Sequence, residues 1–273
     1  MYTVEAYRGL LELIRAEGYR WGRFTENQET AGKVVYLRHD IDYSVGWARE
    51  FAQIDADLGA QATFCFQLRS PLYNLLTYPG LAKVIEIQQL GHDLGLHYVL
   101  EDTAATDAAS LSAKIRADFE TSRGFLPELS PVFSWHNPSL APWVINRPED
   151  FTVPGLVNMY GHRFTQHCAY FADSNLRYTI EELEDIIKAG HPRLQLLFHP
   201  FQWLARGADM LEVLARTWRQ VIREMEQEFL HNHLYHRAFP SGMPEPLLRE
   251  WIEALSRRLA ADYHSNPPGV KGP

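Results

Sequence analysis

Cysteine is scarce in this chain: Cys65 and Cys168 are the only two among 273 residues, each in an apolar, strand-like context. A disulfide framework is therefore not implied, and two reduced core thiols are expected. Long uncharged apolar runs are missing as well. No stretch approaches the ~20 residues needed to span a bilayer. The opening MYTVEAYRGLLELIRAEGYR is interrupted by Glu5, Arg8, Glu12 and Arg15, so it lacks the continuous apolar region of a signal peptide. Together these absences predict a cytoplasmic protein with no membrane span. Positive charge is not in excess: 26 Lys and Arg against 34 Asp and Glu leave a net charge of −8, which gives no reason to expect a nucleic-acid or membrane-surface partner. There is no glycine-rich phosphate loop of the P-loop or dinucleotide type, no internal repeat and no low-complexity segment.

What remains is an ordinary globular composition, 46% hydrophobic and 22% charged, which argues against disorder. Helix-period and strand-like segments alternate nearly end to end. Residues 3–17 predict a helix with Tyr7, Leu10, Leu11 and Ile14 on one face. Strand-like runs follow at 33–37, 62–68, 93–98, 132–135 and 194–198, separated by helical spacing at 44–58, 80–90, 107–122 and 180–189. Thr179 and Glu182 form a capping box at the start of the last of these helices. Residues 140–178 show no regular pattern. The final third is helical, through Leu211, Leu214, Trp218, Val221, Ile222, Met225 and Phe229, and again over 246–260 with Leu248, Trp251, Leu255 and Leu259. Strands alternating with helices imply parallel βαβ units in a barrel or a doubly wound sheet. One catalytic domain over 1–273, with N- and C-terminal helical extensions, is expected.

The polar residues of interest cluster at the ends of apolar runs: RHDID at 38–42, GHDLGLHY at 91–98, SWHNPS at 134–139, YFADSNLRY at 170–178 and LLFHPFQW at 196–203. In a strand, Arg38, Asp40 and Asp42 point one way while His39 and Ile41 point the other. Two carboxylates on one buried face need a cation nearby, which a metal or Arg38 would supply. His97, His136 and His199 each end a different run. His199 follows an almost wholly apolar strand, so it should be partly desolvated, as suits a general acid. Each residue alone has an ordinary structural explanation, but five strand ends carrying site-type residues match the way a barrel assembles its active site. Trp135 and Trp203, with Arg38 and Asp173, are expected to line the substrate site, since aromatics there stack on sugar rings as readily as they pack. His231, His233 and His236 lie at spacings that do not share a helix face, and are expected to be solvated.

In this order the motifs RHDID, ATFCFQL, GHDLGLHY and LLFHPFQW resemble the polysaccharide deacetylase family with its NodB-homology domain, and most closely the divergent HDVD-type branch linked to surface-polysaccharide biosynthesis. The resemblance covers roughly residues 33–205. It implies an α/β fold, a distorted (β/α)7-type barrel, and a divalent metal, usually zinc (Zn2+). By the same resemblance Asp40 matches the catalytic base, Asp42 the metal-binding aspartate, His97 the first histidine of an H-x-x-x-H motif and His199 the catalytic general acid. Asp173 loosely matches an aspartate supporting that histidine. The second histidine of H-x-x-x-H is replaced by Glu101. The third metal ligand is then Glu101 or His136, and His136 is favoured because residues 99–102 can belong to a loop. The expected activity is metal-dependent N-deacetylation of an amino sugar or sugar conjugate, as a small, nucleotide-linked or lipid-linked substrate. A non-catalytic carbohydrate-binding relative with a degenerate metal site, and a hydrolase of non-sugar C–N bonds, are the alternatives.

Overall fold

The computed structural model describes residues 1–26, 31–100, 107–126, 128–140, 142–144, 149–250, 252–254 and 257. In chain order the elements are α1 (Val4–Ala16), β1 (Arg20–Trp21), β2 (Val34–Ile41), α2 (Val45–Asp57), β3 (Ala62–Phe66), α3 (Tyr78–Gln89), β4 (Asp93–Val99), α4 (Ala108–Arg123), β5 (Val132–His136), β6 (Val157–Asn158), α5 (His162–Thr165), β7 (Ala169–Ala172), α6 (Ile180–Lys188), β8 (Arg193–Phe198), α7 (Pro200–Leu204), α8 (Met210–Phe229) and α9 (His233–Ala238). Local signals explain many of the boundaries. Thr3, Ser44, Thr77, Asp107 and Thr179 each cap a helix with a side-chain oxygen. The capping box at Thr179 and Glu182 is formed in full. No helix among the described residues is long and apolar enough to cross a membrane.

The strands run in the order β6-β5-β4-β3-β2-β8-β7, with β1 beside the start of β2, and every pairing is parallel. The sheet curls. Tyr160, just after β6, meets Tyr170 of β7 at a ring separation of 5.8 Å, although the two edge strands are not paired among the described residues. The result is an incompletely closed (β/α)7-type barrel, as the resemblance implies. Its edge strands, β6 and β7, fall within the stretch that reads as irregular in sequence, because two to four residues are too few to show a period.

Strand alternation divides the core in two. Outward-facing Val35, Leu37, Phe64, Leu94, Phe133, Leu194 and Phe198 pack with Leu10, Leu11, Phe51 and Ile87 of the helical layer. Inside the barrel, Phe24, Val34, Tyr36, Cys65, Val132, Met159, Phe164 and Cys168 fill the lower end, and both cysteines are free thiols there. Along β2 the inward positions therefore change from Val34 and Tyr36 to Arg38, Asp40 and then Asp42. The barrel is apolar at the N-terminal ends of its strands and ionic at their C-terminal ends. Gly95 is required where it stands, since a Cβ would lie 2.9 Å from Val132 Cγ2 and 3.0 Å from Cys65 Sγ. Trp251, Leu255 and Leu259 lie outside the described residues, while Leu248 is buried.

On the outer face, His39 is a structural hub. Its Nδ1 lies 3.1 Å from the carbonyl of Phe198 and its Nε2 2.9 Å from Asp55 Oδ2, so both ring nitrogens face acceptors. Tyr7 donates to Asp55 Oδ1 at 2.5 Å and stacks on Phe51 at 4.1 Å. One fully buried cluster thus ties α1 and α2 to β2 and β8. Asp55→Ala is expected to destabilise the protein by about 3–5 kcal/mol, the usual cost of removing one partner of a buried pair, and Tyr7→Phe by only about 1 kcal/mol. Urea unfolding followed by circular dichroism measures both, and equal small losses would show that the pair is not the anchor.

Candidate metal centre

The C-terminal ends of β2, β4 and β5 bring Asp42, His97 and His136 together. Asp42 Oδ1 lies 3.0 Å from His136 Nδ1 and 3.2 Å from His97 Nε2, and the two ring nitrogens are 3.2 Å apart. Three ligands held about 2.1 Å from one tetrahedral ion would sit about 3.4 Å from each other. The donor atoms are therefore within a few tenths of an ångström of the spacing a bound ion requires. Two imidazoles and a carboxylate form a borderline-soft donor set that suits zinc. Burial alone would raise the pKa of Asp42, but hydrogen bonding to His136 and His97 outweighs it and holds the carboxyl well below the usual carboxylate range.

Outer partners orient these groups. His97 Nδ1 is 2.7 Å from Ser134 Oγ, and the Ser134 hydroxyl donates to Asp40 Oδ1 at 3.1 Å. The hydroxyl hydrogen is thus committed to Asp40, so Ser134 accepts from His97 Nδ1–H, an arrangement that would leave Nε2 to coordinate a bound ion. His136 Nε2 lies 3.0 Å from the Asn137 side-chain amide. Gln67 Nε2 reaches both Asp42 Oδ1 and His136 Nδ1 at 3.3 Å. Ser134, Asn137 and Gln67 were not singled out from the sequence. Ser134 has a legible signal all the same, because it stands two residues before His136 and must share its face. Glu101, the rival third ligand, lies outside the described residues.

Asp40 is buried, with Oδ1 accepting from Ser134 and Oδ2 accepting from Arg38 Nη2 at 3.2 Å. Burial raises its pKa, but Arg38, His97 and His199 more than offset this and keep it lowered. The Arg38 guanidinium is itself sealed inside the barrel, 4.4 Å above the Tyr160 ring. On the other side of the centre stands His199, after β8, with Nε2 3.9 Å from Asp42 Oδ2. Its Nδ1 is 2.5 Å from Asp173 Oδ1. Asp173 Oδ2 accepts from the His199 backbone N–H at 2.9 Å and from Trp203 Nε1 at 2.8 Å. Burial lowers the pKa of His199, yet Asp173, Asp42 and Asp40 raise it to about 9, so the ring holds a proton at neutral pH that is available for transfer.

These groups surround a hollow of about 240 Å³ whose wall includes Asp42, Gln67, His136, Asn137, His199 and Gln202. The four residues expected to touch substrate do not line it. Trp135 alternates with Ser134 and His136, so it faces outward and packs on Phe133 and Phe151 at 5.2 and 5.1 Å. Trp203 is buried against Tyr2 at a stacking distance of 4.2 Å. Arg38 and Asp173 are buried inside and serve Asp40 and His199 instead. His231, His233 and His236 are exposed.

No family model and no curated protein matches the chain. Among solved structures, the chain is similar to the Streptococcus pyogenes deacetylase PplD in complex with acetate, at 16% identity and TM-score 0.41, over 61% of this chain and 71% of that one. A mutant of a CE4 family pseudoenzyme with restored enzymatic activity aligns at 12% identity and TM-score 0.40, over 71% of this chain and 64% of that one. The Xyl-CE4 domain of a multidomain xylanase from the hindgut metagenome of Trinervitermes trinervoides aligns at 13% identity and TM-score 0.38, covering 72% and 85%.

Proposed function

We propose that this chain is a zinc-dependent amide hydrolase that removes the acetyl group from an N-acetylated amino sugar or sugar conjugate. The observation that carries the reading is the meeting, at one hollow, of a His/His/Asp donor set and a separate imidazole tied to a buried carboxylate. An amide nitrogen leaves only when protonated, so its hydrolysis needs a proton donor beside a group that activates the carbonyl. Asp42, His97 and His136 would hold the zinc, which when bound supplies Lewis acidity at the acyl carbonyl and makes water more acidic.

The remaining work falls to residues of the chain. Asp40 takes the proton of the attacking water. Arg38 keeps its carboxylate ionised, and Ser134 fixes its plane and links it to His97. His199 delivers the Nε2 proton to the departing nitrogen, converting it to a neutral amine as the C–N bond breaks. Asp173 is a positioning residue: it anchors the His199 ring and backbone together and stabilises the charged imidazole before transfer. Arg38, Trp203 and Asp173 act from behind the reacting groups and have no contact with substrate.

Two sets of measurements test this reading. Stripping metal with dipicolinate is expected to abolish acetate release from N-acetylglucosamine oligomers, and stoichiometric zinc to restore it. Asp42→Ala, His97→Ala and His136→Ala should each lose tightly bound zinc by atomic absorption, while Ser134→Ala weakens zinc binding about 10–100-fold. An Asp42→Ala protein that keeps full zinc and full activity would overturn the assignment. His199→Gln should retain zinc but lower kcat by about 10²–10⁴-fold, with KM little changed. Asp173→Asn should act in the same direction, and an unaltered kcat in either variant would remove His199 as the proton donor.

A further inference from the structure

The hollow above the metal centre, about 240 Å³, is smaller than the roughly 300–1,000 Å³ of most small-molecule sites. A second hollow of about 330 Å³ adjoins it, and Pro71 and Leu72 line both. It lies between the segment entering α3, the start of α2 and the outer part of α8. Val45, Tyr73, Pro79 and Met225 contribute to its wall.

Polar groups on that wall are largely engaged with the protein. Glu224 Oε1 accepts from Ser44 at 2.6 Å and from Gln220 at 2.8 Å. Lys83 donates to the Pro79 carbonyl at 3.3 Å. The Tyr73 hydroxyl donates to the Ile41 carbonyl at 2.7 Å and accepts from the Gln67 backbone N–H at 2.8 Å. Tyr73 thus spends its polar tip on the residue before Asp42 and on the residue that touches Asp42 and His136. The wall of the second hollow is in this way built onto the strand ends that carry the site. Met225 on this wall is 49% exposed, and Val45, Pro71, Leu72, Tyr73 and Pro79 share the wall with it. A half-exposed methionine on a wall of apolar side chains favours an apolar occupant.

Resting on the deacetylase reading, we propose that this hollow is a subsite for an apolar aglycone joined to the amino sugar. The substrate class is then an amphiphilic glycoside rather than a free sugar. The N-acetyl group sits at the metal centre, and the apolar arm crosses Pro71 and Leu72 to lie against Val45 and Met225. Hydrocarbon buried there contributes affinity without touching the reacting atoms.

Binding and turnover of hexyl and methyl β-N-acetylglucosaminides distinguish the two readings. Binding is measured by calorimetry on zinc-loaded His199→Gln protein, and turnover by acetate release from the native protein. The hexyl glycoside should bind at least about tenfold more tightly than the methyl glycoside, since even one methylene in an apolar pocket is worth about that much. Met225→Glu, with a thermal melt confirming the fold, should erase the difference and leave the methyl glycoside unchanged. Equal affinities for the two glycosides, or a Met225→Glu effect equal on both, would overturn the subsite. Tight hexyl binding that Met225→Glu abolishes, without any acetate release, would support the subsite while refuting the deacetylase reading.

Discussion

The charges of one buried strand set the terms for the rest of this molecule. β2 is central in the sheet, and its Arg38 and Asp40 side chains point into the barrel and are almost wholly buried. Ions taken out of water cost several kcal/mol each unless partners replace the solvent. Those partners come from across the fold: Ser134 from β5, His97 from β4, and the rings of Tyr160 and Tyr170 from the two edge strands. The barrel has to curl far enough for both edges to reach Arg38. Curvature, the Arg38–Asp40 pair and the orientation of His97 are therefore one constraint seen from three sides.

The same strand anchors the outside. Between the inward Arg38 and Asp40 stands the outward His39, held by Asp55 and the Phe198 carbonyl. Because β2 is fixed from both faces, the carboxylates at its end have little freedom to move. That rigidity matters at a site whose donor atoms are only 3.0–3.2 Å apart, since repulsion or a small rotation would scatter them. The Asp173 carboxylate plays a matching part on β8, where it binds the ring and the backbone N–H of His199 and the indole of Trp203. Two buried carboxylates, Asp40 and Asp173, thus support the centre from opposite sides, each through a different histidine.

Two residues expected to line the substrate site are turned away from the hollow by the elements that carry them. Both tryptophans adjoin polar strand ends in sequence, but for Trp135 adjacency along a strand is adjacency on opposite faces. Trp135 stands between Ser134 and His136 and must point away from both. Trp203 lies on a helix, where its ring turns inward to Tyr2 and its N–H to Asp173. Ser134 is the converse case. Its period-two relation to His136 was legible, but a serine carries no chemistry in isolation, and its value lies in bridging His97 to Asp40.

Local features follow from the order of residues alone. These are the capping box at Thr179 and Glu182, the split of His39 from Arg38 and Asp40, the βαβ alternation and the motif order that resembles a deacetylase barrel. The capping box and the His39 split depend on spacings of two to three residues, which the backbone period translates directly into local geometry. Which strand ends meet depends instead on the packing of the whole sheet. The order β6-β5-β4-β3-β2-β8-β7 sets His97 and His136 on one side of Asp42 and His199 on the other. The short edge strands β6 and β7 close over Arg38, and Tyr73 joins a second hollow to the site. Those outcomes depend on pairing between residues tens of positions apart, where no local period reaches and long-range packing alone selects the arrangement.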